Sequence, residues 1–316
     1  MPIVNVSGAP HAYDISASAA AGETLVFLHG WLLSRSYWQP LVDQLSDRYQ
    51  CVTYDARGFG DSIQSPGIQS NIQSLETKEV ETRRSIRLPS DRTWYPSHSF
   101  EQTIETSIYS LAAYAQDLGN LLDQLNVDRA WLMGHSLGGS VALWAAYLFP
   151  ERIKGVICLN AGGGIYIPKE FEKFRAAGQQ MVKFRPQWLA QVPLLPRVFC
   201  KAMVHKTLAL QWGQQRIRDF VQADRAAAIG ALLESTTCEE VQQLPQLMSQ
   251  LTQPVHFITA TEDTIMPPRY VRYLASFHPH FCEAEMVSEI SDCGHMAMVE
   301  QPQAVANVVK SVLSVA

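Results

Sequence analysis

One pentapeptide, Gly134–Gly138 with the sequence Gly-His-Ser-Leu-Gly, constrains the fold of this chain more than any other feature. The apolar segment 129–133 before it predicts a buried strand, and the apolar segment 139–148 after it predicts a helix. A sharp turn between strand and helix exposes its central serine as a nucleophile. The turn strains that residue, and flanking glycines avoid collisions with the strand and helix. The pentapeptide therefore predicts that Ser136 is a nucleophile at the end of a strand.

The order of the apolar runs predicts an α/β fold. Continuous apolar runs are typical of strands buried on both faces of a parallel sheet. Such patterns predict strands at residues 4–6, 12–15, 24–28, 51–54, 130–133, 155–159, 255–259 and 283–287. Helical patterns alternate with them, notably at 38–45, 109–125 and 304–313. This alternation predicts a mainly parallel central sheet with helices on both faces.

Two segments interrupt the alternation of strands and helices. Residues 63–107 are polar and connect a predicted strand to a predicted helix. This connection is far longer than usual, which indicates either a functional excursion or partial disorder. Residues 165–250 have helical patterns and fall between two predicted strands. We therefore expect residues 1–164 and 251–316 to form the core, and residues 165–250 to form a helical cap or lid inserted between late strands.

A serine hydroxyl needs a base that removes its proton and an acid that orients the base. The best-placed base is His295, in a small loop between the last predicted strand and the closing helix. That loop points to the carboxyl edge of the sheet, where sites of open α/β sheets lie. His135 is next to Ser136 in the sequence, but we expect its side chain to point away from the serine.

The acid is expected between Ser136 and His295 in the sequence, since this architecture has the order serine, acid, histidine. Asp263 follows the predicted strand 255–259, and the nearest rival is Glu262. We predict Asp263, because its shorter side chain suits presentation by the loop and because Ile265 and Pro267 help to anchor that loop.

Acyl transfer also needs donors for the oxyanion, and two backbone amides usually supply them. One expected donor is the amide of Leu137, directly after the serine. The other is the amide of Trp31, in the His29–Trp31 loop that follows the first long apolar strand. Trp31 could also serve as an aromatic plug in a core turn.

Taken together, these motifs resemble the α/β-hydrolase fold family, in its serine carboxylesterase and lipase-like branch. The resemblance rests on residues 29–31, 55–62, the Ser136 turn, Asp263 with Pro267, and Gly294–His295. Pimeloyl-ester carboxylesterases and chlorophyll-dephytylating hydrolases are similar. The resemblance implies Ser136 as nucleophile, His295 as base, Asp263 as acid, and the Trp31 and Leu137 amides as oxyanion donors. A serine at this turn argues against haloalkane dehalogenases and most epoxide hydrolases of the fold, which use aspartate there.

The leading functional hypothesis is a serine hydrolase of carboxylic esters that have an apolar acyl or alcohol part, acting through an acyl-enzyme. A C–C bond hydrolase, a thioesterase or a cofactor-free perhydrolase could use the same triad. A ligand-binding receptor or scaffold of this fold is the alternative from another class, and stoichiometric rather than catalytic turnover would identify it.

Composition narrows the partners that can be expected. The net charge of -5 over 316 residues gives no indication of a nucleic-acid partner. No run of apolar residues is long enough for a membrane span, and no leader pattern is visible at the start. The six cysteines are scattered without a Cys-x-x-Cys pair, which favours free thiols in the cytoplasm. Nothing in the sequence suggests a metal or an organic cofactor.

The cap segment carries an unusual charge. Residues 165–218 contain ten Lys or Arg and only two acidic residues, a local charge near +8 in a chain of -5. One interpretation is a helical cap with an apolar inner face and a solvated basic outer face. The sharper hypothesis is an amphipathic lid that makes peripheral contact with an anionic membrane, or that admits acidic substrates.

Overall fold

The computed structural model describes residues 1–16, 22–63, 82–89, 103–164, 168–281 and 285–315, with backbone only at 168–170. Of the cysteines, four have buried free thiols and Cys238 is exposed, while Cys282 lies outside the described residues.

In the described residues, ten strands form two sheets. They are β1 Ile3–Val6, β2 Ala9–Ile15, β3 Thr24–Leu28, β4 Gln50–Tyr54, β5 Arg83–Arg87, β6 Thr103–Ser107, β7 Ala130–His135, β8 Ile153–Leu159, β9 Val255–Ala260 and β10 Val287–Ile290. Eight of them form the main sheet in the order β1-β2-β4-β3-β7-β8-β9-β10. The pairs β1–β2 and β2–β4 are antiparallel, and every pair from β4 to β10 is parallel. The prediction of a mainly parallel sheet is therefore confirmed.

The central strands are buried because helices cover both faces of the sheet. Alternate side chains of β3 point to opposite faces: Val26 and Leu28 join one hydrophobic cluster, and Leu25 and Phe27 join the other. The helices are α1 Gln39–Leu45, α2 Leu111–Gln124, α3 Leu137–Leu148, α4 Pro168–Lys183, α5 Leu195–Phe199, α6 Leu210–Gln222, α7 Arg225–Ser235, α8 Cys238–Met248, α9 Pro268–Ala275, α10 Ala297–Glu300 and α11 Pro302–Val315. The helices α2 and α3 pack together beside the first cluster, and α1 and α11 pack together beside the second.

The last strand differs from the sequence expectation. It runs over Val287–Ile290 rather than 283–287, and residues 282–284 lie outside the described part of the chain. The strand pairs with β9 in parallel as far as Ile290, which lies opposite Ala260. Because Ser288 and Glu289 are polar, apolar patterning alone does not reveal this half of the strand.

Within the polar stretch 63–107, the described residues form an antiparallel pair. Arg83 on β5 lies opposite Ser107 on β6, and Arg87 lies opposite Thr103. Residues 64–81 and 90–102, which belong to the same predicted excursion, lie outside the described residues.

Helices α4 to α8 lie between β8 and β9 in the sequence, and we call residues 168–248 the helical insert. The division into core and cap at residues 165 and 250 stays a prediction. Among the helices of the described residues, none combines the length and apolar character needed to cross a bilayer.

Candidate active site

Ser136 lies in a strained turn at the end of β7. Its backbone has φ 52° and ψ -119°, a conformation that a residue with a Cβ rarely adopts. The surrounding structure fixes the turn: the Ser136 amide donates to the carbonyl oxygen of Leu159 at 3.1 Å, and the Gly139 amide donates to the carbonyl oxygen of Ser136 at 2.9 Å. Strain of this kind persists where the neighbouring structure over-determines it, and it concentrates at functional sites.

The two glycines of the pentapeptide leave room for this turn. A Cβ on Gly138 would lie 2.4 Å from the carbonyl oxygen of Leu28, and a Cβ on Gly134 would lie 2.3 Å from that of Gly138. Both contacts are with backbone, which cannot rotate away. The strand and the helix can therefore approach closely on either side of Ser136 only with glycine at these positions.

His295 and Asp263 form a buried pair at the same edge of the sheet. His295 Nδ1 donates to Asp263 Oδ2 at 2.7 Å, which leaves His295 Nε2 free to accept a proton. Asp263 Oδ1 also accepts from the amides of Ile265 and Met266, each at 2.8 Å. Glu262, the rival acid, has an exposed side chain. The structure thus brings Asp263, and not Glu262, to His295.

Opposing influences act on the Asp263 carboxyl. Burial alone would raise its pKa, but the charge of His295 and the hydrogen bonds from His295, Met266 and Asn160 lower the pKa below its ordinary value. Asp263 is therefore ionised at neutral pH and can stabilise a protonated imidazole.

Asn160 is a site residue that the sequence analysis did not single out. It directly follows β8, and its Nδ2 donates to Asp263 Oδ2 at 2.8 Å and to the Gly294 carbonyl oxygen at 3.1 Å. It thereby connects the acid to the loop that carries His295. The sequence signal was weak: a polar residue ends the apolar run 155–159.

His135 also holds the His295 loop in place, through a hydrogen bond from its ring to the loop backbone. Its Nε2 donates to the His295 carbonyl oxygen at 2.8 Å, and the two rings lie 4.7 Å apart between centroids. Burial, together with the charge of His295, lowers the His135 pKa to about 3, so this ring is neutral at physiological pH. His135 is thus committed to a backbone carbonyl beside the base.

The two expected oxyanion donors lie on the wall of the cavity that Ser136 also lines. Leu137 is the first residue of α3, and Trp31 lies in the loop after β3. His29 braces that loop, because its Nδ1 donates to the Gly30 carbonyl oxygen at 2.8 Å and its Nε2 accepts from the Ala56 amide at 2.9 Å. The roles of the Trp31 and Leu137 amides stay predictions.

The cavity beside Ser136 is narrow and mostly apolar. Its volume is about 90 Å³. Its apolar lining comes from both the sheet edge and the insert: Trp31, Leu137, Phe171, Phe174, Leu232, Ile265 and Met266. A larger open pocket of about 710 Å³ shares the lining residues Phe171 and Thr236 with it. We call the space of about 90 Å³ beside Ser136 the inner cavity and the space of about 710 Å³ the outer pocket.

The helical insert is hydrogen-bonded to the loops of the site. The Met203 carbonyl oxygen accepts from the His295 amide at 2.9 Å. Glu300 reinforces this contact: one carboxylate oxygen accepts from the Gly294 amide at 2.8 Å, and the other accepts from the amides of His205 and Lys206 at 2.8 and 2.9 Å. The position of the His295 loop is thus set partly by the insert.

A second set of bonds ties the insert to the Trp31 loop. The indole Nε1 of Trp31 donates to the Ala228 carbonyl oxygen at 2.8 Å. The Ser34 hydroxyl donates to Asp219 Oδ2 at 2.9 Å. The His295 loop and the Trp31 loop therefore both contact the insert.

The sequence of this chain is similar to a known protein family and to several known proteins. The model of the alpha/beta hydrolase family matches residues 25–308. An uncharacterised protein of Mycobacterium tuberculosis is 28% identical over 215 residues, which is 64% of this chain and 61% of that protein. The chain thus spans about three fifths of the length of this relative.

A pimeloyl-[acyl-carrier protein] methyl ester esterase of Pseudoalteromonas atlantica is 23% identical over 289 residues, 87% of this chain and 93% of that protein. Among solved structures, a thermophilic esterase from Thermogutta terrifontis superimposes with a TM-score of 0.69 at 20% identity, covering 99% of this chain and 98% of the other. At this identity the structural likeness shows the fold alone.

Proposed function

Because the chain belongs to the alpha/beta hydrolase family, we propose that it is a serine hydrolase that cleaves carboxylic esters through an acyl-enzyme intermediate. One observation carries the proposal. The strained Ser136 turn lines an apolar cavity at the sheet edge where a buried His295–Asp263 pair also lies, with His295 Nε2 free to accept a proton. Nucleophile, base and orienting acid are the groups that acyl transfer requires.

In the proposed reaction, Ser136 Oγ attacks the ester carbonyl carbon while His295 Nε2 takes the hydroxyl proton. Asp263 stabilises the imidazolium that forms. The oxyanion of the tetrahedral intermediate accepts hydrogen bonds from the Trp31 and Leu137 amides, and loss of one such donor costs about 3 kcal/mol in the transition state. His295 then protonates the leaving alcohol, and a water activated by the same nitrogen releases the acid from Ser136.

The inner cavity and the outer pocket support a substrate with a small apolar part. The inner cavity of about 90 Å³ is smaller than the ~150 Å³ cavity that admits benzene, so a short acyl chain fits it best. The outer pocket, which shares Phe171 and Thr236 with the inner cavity, offers space nearby for a larger group of the ester. The sequence similarity to a methyl ester esterase supports an ester as the bond that is cleaved.

The test is hydrolysis of 4-nitrophenyl esters of increasing acyl length by the wild type and by Ser136→Ala. We expect turnover to be highest with short chains and to fall by about three orders of magnitude or more in Ser136→Ala. Ser140→Ala is the matched control, because Ser140 lines the same cavity one helical turn further along, and it should retain turnover.

Labelling with a fluorophosphonate probe identifies the nucleophile independently of the substrate. Labelling that needs Ser136, together with turnover, supports the proposal. Folded wild-type protein that neither turns over any ester nor reacts with the probe would overturn it in favour of a receptor or scaffold. Turnover that survives in Ser136→Ala would show that another group is the nucleophile.

A further inference from the structure

Large apolar side chains are exposed together in one part of the helical insert. Phe184 is 67% exposed, Trp188 60%, Leu194 64% and Val198 60%. With Met181, which is also exposed, we call these residues the insert patch. They fall within an 18-residue stretch, 181–198, at the end of α4 and through α5. Exposed apolar residues scattered singly need no explanation, but five within 18 residues of sequence are consistent with an interaction surface.

Exposed cations lie within this stretch and directly after it. Lys183, Arg197, Lys201 and Lys206 are exposed, and no Asp or Glu occurs anywhere between Glu172 and Asp219. Within the described parts of the chain, no carboxylate forms an ion pair with these four side chains. The Lys183 ammonium lies 5.6 Å from the centre of the Phe184 ring. Positive charge and apolar surface are thus neighbours here.

Other basic residues of the insert are committed to its own structure. Arg175 donates to the carbonyl oxygens of Leu233 and Thr236 at 3.1 and 2.6 Å. Arg185 and Arg216 likewise donate to backbone carbonyls of the insert. The remaining exposed cations are therefore the ones available to a partner.

We propose that the insert patch docks on an anionic lipid bilayer. Trp, Phe and Leu insert at the boundary between headgroups and acyl chains, and Lys and Arg attract anionic headgroups. The charge distribution favours this partner over a neutral surface: the chain has a net charge of -5, yet the stretch that contains the patch has only basic charges. An anionic bilayer attracts this face of the molecule and repels the rest.

Docking would bring the candidate active site close to the lipid. Helix α4 joins the two: Phe171 and Phe174 line the inner cavity, and Met181 belongs to the patch. The separation from Phe171 to Met181 along the helix is about 15 Å at 1.5 Å per residue. Docking of the insert patch would therefore place the lining of the inner cavity about three helical turns from the lipid surface.

The test is co-sedimentation of the purified protein with vesicles of phosphatidylcholine alone and of phosphatidylcholine mixed with phosphatidylglycerol. We expect binding to the mixed vesicles, weakened by added salt because screening shortens the range of the attraction. Two variants address the patch, Phe184→Ser/Trp188→Ser for its apolar part and Lys183→Gln/Arg197→Gln/Lys201→Gln/Lys206→Gln for its charge. Each should bind at least about tenfold more weakly.

The matched control removes four exposed cations elsewhere: Arg48→Gln/Arg83→Gln/Arg129→Gln/Arg225→Gln. It has the same net charge as the charge variant of the patch and should bind nearly as well as the wild type. Thermal denaturation of both patch variants shows whether they are folded. The salt dependence of binding is measured on the wild type alone.

Equal binding of the wild type to both kinds of vesicle, or equal loss of binding in the control variant, would overturn the proposal. Self-association that disappears in Phe184→Ser/Trp188→Ser, with no vesicle binding by the wild type, would assign the patch to a second copy of the chain. Because the readout is sedimentation, this result is independent of whether the proposed hydrolysis is found.

Discussion

At the scale of single residues, Asp263 depends on donors that come from three directions. His295 Nδ1 and Asn160 Nδ2 both donate to its Oδ2, and two backbone amides donate to its Oδ1. These bonds stabilise the ionised carboxylate against the burial that would otherwise neutralise it. The structure thus makes Asn160 a positioning residue for the proposed acid.

Replacement of this amide by a carboxyl tests that role. In Asn160→Asp, the second carboxyl would raise the apparent pKa of the pair, since two adjacent carboxylates resist ionisation together. We expect kcat for a 4-nitrophenyl ester to fall at least about tenfold. The acid limb of the pH–rate profile should move to higher pH, which steady-state kinetics across pH measures.

Asn160→Gly is the matched control for this prediction. Glycine accepts the φ of 49° at this position and removes the donor without adding charge. It should lower kcat without the large upward shift of the acid limb. Identical pH profiles for the two variants would contradict the electrostatic role and leave a purely steric one.

At the scale of elements, the short helix α10 connects the His295 loop to the insert through Glu300. Its carboxylate accepts from Gly294 on one side and from His205 and Lys206 on the other. Residues 205 and 300 are far apart in the sequence, so periodicity and local motifs carry no information about this contact.

The loss of this carboxylate should loosen the His295 loop. In Glu300→Ala three backbone amides lose their acceptor, and we expect kcat to fall by about tenfold with a smaller change in KM, together with a Tm lower by about 2–4 °C. Glu300→Gln retains an acceptor oxygen and should recover part of kcat. Ester kinetics and thermal denaturation of both variants measure these effects.

Glu289→Ala is the control, because it removes an exposed carboxylate that pairs with Arg272 at the surface. It should leave kcat unchanged. A Glu300→Ala enzyme that loses Tm but keeps the wild-type kcat would show that Glu300 stabilises the fold without positioning the base.

The sequence predicted elements well where their signals were local. The apolar runs of β3 and β7 and the Ser136 pentapeptide identify a strand or a turn within a few residues. The polar half of β10 and the β5–β6 pair were not predicted, because their pairing partners define them more than their own composition does. Asp263 and His295 were proposed from chain order, and the contact between them needed the structure.

At the scale of the whole molecule, two buried carboxyls link stability to pH. Burial raises the pKa of Asp219 to about 7, although hydrogen bonds from Ser34 and Gln215 oppose the shift. Burial also raises the pKa of Glu240 to about 7, opposed by the hydrogen bond from the Trp144 indole. The folded state therefore binds more protons than the unfolded state from about pH 4 to 7, and these groups lose their stabilising contribution as pH rises through about 7.

The double variant Asp219→Asn/Glu240→Gln isolates the effect of these two carboxyls on the free energy of unfolding. The buried histidines, whose pKa values are lowered, instead make the protein more stable as pH rises. At pH 5 both carboxyls are protonated in the folded wild type and largely ionised in its unfolded state, so the Tm of the variant should exceed that of the wild type only slightly. At pH 8 the wild type holds two buried charges and the variant holds none, so the Tm of the variant should exceed that of the wild type by at least about 2 °C.

Thermal denaturation at pH 5 and pH 8 gives both differences. The surface variant Asp123→Asn/Glu289→Gln removes the same formal charge from exposed positions and should show no such widening. A gap between wild type and double variant that is equal at the two pH values would contradict the raised pKa values of Asp219 and Glu240.

The hydrogen bond from the His295 amide to the Met203 carbonyl has a consequence for how chains of this architecture can be recombined. A chimera that takes its insert from another family member would have a different lining of the substrate cavity. It would also lose the backbone carbonyl that holds the loop of His295 in place. Chimeras whose insert reproduces the backbone path at residues 203–206 should keep hydrolytic activity. Chimeras whose insert has another length there should fold but be inactive. We therefore expect that the insert and the closing part of the chain must be exchanged together to keep activity, although about ninety residues of sequence separate the two contact points.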